Sequence, residues 1–294
     1  MRIIPSIAVT IPLFALALRA DNPPSPSDVA YKDIKHSFGF VPSFMKSVPE
    51  EALPGAWDEM AAVELSGDTA LPARTKELIG LAVAAQIPCR YCVYADTQFA
   101  HAAGATDREV REAIAMAAVT RHWSTVLNGM QIDPALFDKE MAGVFAYLAR
   151  GPHPAQPSEP VTDAQSAYKD IEHTLGSVPS FYKQLAPSAI GPAWREQKDF
   201  ELNPNTALPP RTKELIGLAV AAQIPCRYCV AFHTAAAKLD GAADREIQEA
   251  VAMSALTRHW STIINGSLED ENQFRREVDQ ALRNTRKTGV QAQR

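Results

Sequence analysis

Residues 30–129 return almost whole as residues 167–266, at a fixed offset of 137. Ala30-Tyr31-Lys32-Asp33-Ile34 recurs as Ala167-Tyr168-Lys169-Asp170-Ile171, and Val41-Pro42-Ser43-Phe44 as Val178-Pro179-Ser180-Phe181. Arg74 to Val93 reappears unchanged as Arg211 to Val230, and Arg121 to Thr125 as Arg258 to Thr262. Without gaps the two blocks agree at 62 of 100 positions. Such a chain is a tandem duplication, and its architecture must be one module used twice. The expectation is a pseudo-dimer in which each copy covers the other's apolar helix face. Since recent copies agree in any case, the positions where they differ carry the most information about function.

Within a copy the signals are helical. Arg74 to Gln86 is rich in Ala, Leu and Ile, with Pro72 just before it and Gly80 as the one weak helix former. Pro88 breaks this helix, so Cys89 opens the next, which runs toward Gly104. Thr106-Asp107-Arg108-Glu109 reads as a capping box; the second copy has Ala243 there, leaving Asp244 as the expected cap. No run of alternating strands appears, and the fold class is all-α. The expected organisation is domain 1 over 21–150, a Pro-rich linker over 151–161, domain 2 over 162–275 and a polar tail over 276–294, with the chain after Gly266 helical and fraying from Arg283 onward.

At the other end, Arg2 precedes an uncharged run from Ile3 to Leu18 with an Ala15-Leu16-Ala17 site, so residues 1–20 read as a secretory leader. That expectation makes the protein periplasmic or secreted, and otherwise cytoplasmic, with no membrane span in the mature form. The formal charge of −5 gives no basis for a sequence-independent grip on nucleic acid.

All four cysteines fall in two Cys-x-x-Cys pairs, Cys89/Cys92 and Cys226/Cys229. At the start of a helix, free N–H groups and the helix dipole favour a thiolate, and Arg90 and Arg227 bring a cation into the neighbourhood. The i, i+3 spacing lets each pair close to a disulfide. In the second copy His233 follows Cys229 by one turn, and Glu214 lies on the preceding helix, within reach of the imidazole if the two helices pack as a hairpin. A carboxylate that orients a histidine beside a cysteine is the arrangement of an activated nucleophile. In the first copy Glu77, Cys89 and Cys92 match, but Asp96 stands where His233 stands. An anion one turn from Cys92 favours the thiol, so the first site is expected to be the weaker one. His101 lies on another helix face, and His122 and His259, each before a Trp, read as packing residues.

The frame Glu-x11-Cys-x2-Cys-x3-His within Arg211-Thr212-Lys213-Glu214-Leu215-Ile216 resembles the alkylhydroperoxidase AhpD-like core of the carboxymuconolactone decarboxylase superfamily. The resemblance covers Pro72 to Gly129 and Pro209 to Gly266, and Phe38-Gly39-Phe40-Val41-Pro42 resembles the lead-in of peroxidase-related members. It implies an all-helical oligomer acting as a thiol peroxidase without cofactor or metal. On the matching positions it implies that Cys229 attacks the peroxide and Cys226 resolves the sulfenic acid. His233 would relay the proton and Glu214 hold it. The implied partners are a hydroperoxide substrate and an external dithiol or protein reductant. Active members often carry a further His between the cysteines, where this chain has Tyr91 and Tyr228. Other readings are a lactone decarboxylase, a disulfide-stiffened assembly module, or zinc on Cys226, Cys229, His233 and Glu214, although structural zinc sites usually gather two separated pairs.

Overall fold

The computed structural model describes residues 23–151 and 160–288, with side chains through 285. The expected leader lies outside the described residues, as do positions 152–159 of the linker. The described residues form twelve α-helices, with short 3-10 and π-helical turns and no strand. The first copy contributes α1 (Pro26–Phe38), α2 (Leu53–Met60), α3 (Ala73–Gln86), α4 (Arg90–Ala102), α5 (Asp107–Gly129) and α6 (Pro134–Leu148). The second repeats them as α7 (Ala164–Leu175), α8 (Pro187–Glu196), α9 (Pro210–Gln223), α10 (Arg227–Leu239), α11 (Asp244–Gly266) and α12 (Glu271–Thr288). The expected all-α pseudo-dimer is the observed fold.

The centre is built from α3 and α9. Their central stretches, Leu78–Ala85 and Leu215–Ala222, are apolar on every side, so neither has a face fit for water there, and a helix of that kind must be enclosed. Leu78 to Ala84 and Leu215 to Ala221 are buried without interruption. The two helices pack on each other, each pairs with the next helix of its own copy as a hairpin, and each is crossed by α5 and α11. Start signals behave as the sequence indicates at Thr106, whose hydroxyl accepts from Glu109 N while Glu109 accepts from Thr106 N. At the second copy the expected cap is corrected. Asp244 is the first helical residue and pairs with Lys238 at 3.0 Å, while Glu246 alone accepts from Ala243 N.

The tail after Gly266 packs back on the first copy. Residues 271–288 are one helix, and Phe274, Val278, Ala281 and Leu282 are buried against the first copy, where α12 packs on α1 and α4. The spacing of these four residues, i, i+4, i+7 and i+8, is an amphipathic stripe in an otherwise charged segment. Its counterpart α6 packs on α10 of the second copy. Each copy therefore lends its last helix to the other.

Reciprocal polar clamps fix this exchange. Glu112 accepts from Ala207 N and Leu208 N at 2.9 and 2.8 Å, and Glu249 from Ala70 N and Leu71 N at 2.8 and 2.7 Å. Glu140 holds Ser180, and Glu277 holds Ser43, each through backbone N–H and hydroxyl. Charge-assisted bonds of this kind are among the stronger ones, and every one of these crosses between copies.

Candidate functional site

The break at Pro225 sets the site. It ends α9, and Cys226 becomes the N-cap of α10, its Sγ accepting from Cys229 N at 3.3 Å. Cys226 and Cys229 form a disulfide, as do Cys89 and Cys92, with Cα atoms 5.3 and 5.4 Å apart. Both pairs are buried. Two amides from the other copy reach the first sulfur of each pair, Asn128 to Cys226 and Asn265 to Cys89. The arginines expected beside the sulfurs turn outward instead. Arg227 is exposed, and Arg90 pairs with Glu271 at 3.0 Å on the surface.

Because α9 and α10 form a hairpin, His233 and Glu214 meet as the register implies. His233 Nδ1 lies 2.8 Å from Glu214 Oε2, and both residues are 3% exposed. Two further partners escaped the sequence reading. Glu201, at the end of the π-helical turn Gln197–Glu201, brings an oxygen to 3.8 Å from the same Nδ1. Thr120, on α5 of the other copy, places its hydroxyl 3.3 Å from Nε2. Burial disfavours each charged form here: it pushes Glu214 up to about 8 and Glu201 to about 7, and His233 down. The result is a neutral imidazole whose Nδ1 faces a carboxyl group; in the tautomer with its proton on Nδ1, Nε2 is free to take another.

Gly217 makes the approach of this ring possible. A Cβ there would lie 2.4 to 2.7 Å from three His233 ring atoms, far inside contact distance. Gly217→Ala should keep the helix, since Ala favours helix over Gly by about 1 kcal/mol. It should also push the imidazole off Glu214 and lower any turnover that uses His233 by about a hundredfold. Circular dichroism together with the rate checks this, and an unchanged rate would mean that the ring's seat is immaterial.

Cys229 and His233 line one cavity of about 40 Å³ with Glu201, and its walls are apolar and aromatic. Trp123, Phe137 and Met141 come from the first copy, and Phe181, Tyr182 and Phe232 from the second. The site is incomplete without both copies. The tyrosines inside the Cys-x-x-Cys pairs serve this join, since Tyr228 donates to Ile132 O and Tyr91 to Glu269 O.

In the first copy the equivalent positions are Cys92, Glu77, Asp96 and Glu64, around a larger cavity of about 90 Å³. Burial, with Glu64 adding, pushes the Asp96 carboxyl well above the usual range. His101 is occupied at a helix end by Ala105 O, and His122 and His259 stand edge-on to Trp123 and Trp260. The alternative zinc set does not assemble among the described residues. The donor group around His233 joins Glu201 and Glu214, and the sulfurs fall outside it.

A family model described as the carboxymuconolactone decarboxylase family matches residues 51–133 and 192–267, more than half of the chain. The fold is similar to that of a protein from Burkholderia xenovorans LB400 assigned as a gamma-carboxymuconolactone decarboxylase subunit. The TM-score is 0.56 and the identity 16%, over 83% of this chain and 96% of the other. No curated protein matches at a significant level. Among the described residues no helix is long and apolar enough to cross a membrane.

Proposed function

The chain belongs to the carboxymuconolactone decarboxylase family, and within it we propose that the second copy's site is a thiol-dependent hydroperoxide reductase. The observation that carries this reading is the opening of Cys229 and His233 on one apolar cavity, with His233 seated on Glu214. In the reduced enzyme, His233 Nε2 takes the proton of the Cys229 thiol. The thiolate attacks the distal peroxide oxygen, the O–O bond breaks, and the alkoxide leaves with the proton from His233. Cys229 is then a sulfenic acid, which the Cys226 sulfur attacks: the S–S bond forms, the S–O bond breaks, and water departs. That step leaves a Cys226–Cys229 disulfide, a pairing the geometry of the two cysteines supports. An external dithiol returns two electrons by exchange. The reading also includes a homo-oligomer and an exported location.

Peroxide consumption by leader-free protein with dihydrolipoamide, run beside Cys229→Ser, tests it. The wild type should turn over and the variant should not; equal rates would sink the proposal. The family's name favours a second reading, lactone decarboxylation, which needs no dithiol. Turnover of a carboxymuconolactone that survives loss of all four cysteines would establish that reading instead.

A further inference from the structure

The peroxide chemistry leaves the first copy's cluster unused. There the carboxylate oxygens of Glu64, Glu77 and Asp96 lie within 4.8 Å of one another. That separation is twice a typical Ca–O bond of about 2.4 Å, so one ion can touch all three. Clustering alone would mean little, but Glu77 is 7% exposed, and its Oε2 and Asp96 Oδ2 are buried with no hydrogen-bond partner. Buried oxygens of this kind are rarely left empty-handed in a folded protein. Trp260, 5% exposed and lining the same cavity, also leaves its Nε1–H without an acceptor.

The comparison between copies sharpens the point. In the second copy two carboxyl groups, Glu201 and Glu214, face two basic groups, the imidazole of His233 and the buried ammonium of Lys213. In the first copy Asp96 replaces the base with a third acid. Lys76 acts on Glu64 and Glu77, and its ammonium is held by Val63 O and Ser66 O at 2.9 and 2.7 Å. Once all three acids ionise, one ammonium leaves two negative charges, which a single divalent cation neutralises.

We propose that Glu64, Glu77 and Asp96 form a binding site for a hard divalent cation of the Ca²⁺ or Mn²⁺ type. An all-oxygen donor set selects such ions over zinc or copper, which favour nitrogen and sulfur. Three protein ligands leave further coordination positions facing the cavity. There the Trp260 N–H is available to a water or small oxygen ligand carried by the ion. The His-to-Asp difference between the copies is then a change of use, from proton relay to cation site.

The test is titration of full-length protein, dialysed against EDTA, with Mn²⁺ at pH 8, followed by the electron paramagnetic resonance of free Mn²⁺ and by calorimetry. The wild type should bind one Mn²⁺ per chain, and Glu201→Gln should bind as the wild type does. Asp96→Asn and Glu64→Gln should each weaken binding at least about tenfold, the usual scale for losing a ligand contact. Ca²⁺ should displace the Mn²⁺. No stoichiometric binding by the wild type would overturn the site, and would mean that protons alone neutralise the three acids. Loss of binding in Glu201→Gln with retention in Asp96→Asn would overturn it too, by moving the ion to the second copy. If an amide variant fails to fold, the wild type and Glu201→Gln still decide between these outcomes. The readout is independent of peroxide turnover, so it stands or falls apart from the hydroperoxidase reading.

Discussion

His233→Asp should lower peroxide turnover by about a hundredfold or more, the usual worth of a positioned general acid–base. The substitution writes the first copy's residue into the second copy's site. There the carboxyl would sit beside Glu214 and Glu201, in surroundings that already push both groups up to about 8 and 7. A third buried acid next to them stays protonated and cannot accept the thiol proton near neutral pH. The reciprocal change, Asp96→His, should do the opposite. Gly80 stands where Gly217 does, with Asp96 Oδ2 3.0 Å from the place its Cβ would occupy, so the first copy keeps the seat an imidazole needs. Glu77 and Glu64 are there to face Nδ1, and Thr257 is the counterpart of Thr120. The variant should gain turnover that Cys92→Ser removes, measured in a Cys229→Ser background where the second site is silent. If Asp96→His binds its ring but stays inactive, the difference between the copies goes beyond that one position.

How much of this was legible in the sequence depends on where each partner sits. Glu214, Cys226, Cys229 and His233 lie on two consecutive helices joined by a proline break, and a hairpin of known register brings them together. The pair at 2.8 Å follows from that spacing alone. Glu201 belongs to the segment before the hairpin, and its inward position depends on a π-helical turn that no simple periodicity encodes. The one available signal was that Glu64-Leu65 and Glu201-Leu202 survive inside an otherwise divergent stretch. Thr120 and Phe137 come from the other copy, and only the packing of the pseudo-dimer brings them in. The docking of the helix over 271–288 was not legible because its polar composition hid four apolar residues at helical spacing. Arg90 and Arg227 were placed near the sulfurs by adjacency, but at the first turn of a helix a neighbouring side chain points elsewhere.

Phe137→Ala should be among the most damaging single changes, and its effect on activity should appear in the copy that does not contain it. Phe137 is 2% exposed on α6 of the first copy, yet its ring meets Tyr228 at 5.2 Å and Phe181 at 5.7 Å, both in the second. Truncating a buried Phe costs about 3–5 kcal/mol through lost burial and the cavity left behind. For a chain of this size the melting temperature should fall by about 10 °C. The same ring walls the cavity that Cys229 and His233 share. Its loss enlarges that space and admits water beside the imidazole, which weakens the burial that keeps His233 neutral. Turnover at Cys229 should therefore fall at temperatures where the variant remains folded. The counterpart Phe274→Ala opens the first copy's cavity, where Phe274 meets Tyr91 at 5.4 Å. It should cost similar stability and leave turnover at Cys229 close to wild type. Thermal melts and rates on the two variants separate these effects. Equal loss of turnover in both would mean that general loosening, rather than the shared wall, governs the site. Loss confined to Phe137→Ala would mean that each copy completes the other's chemistry.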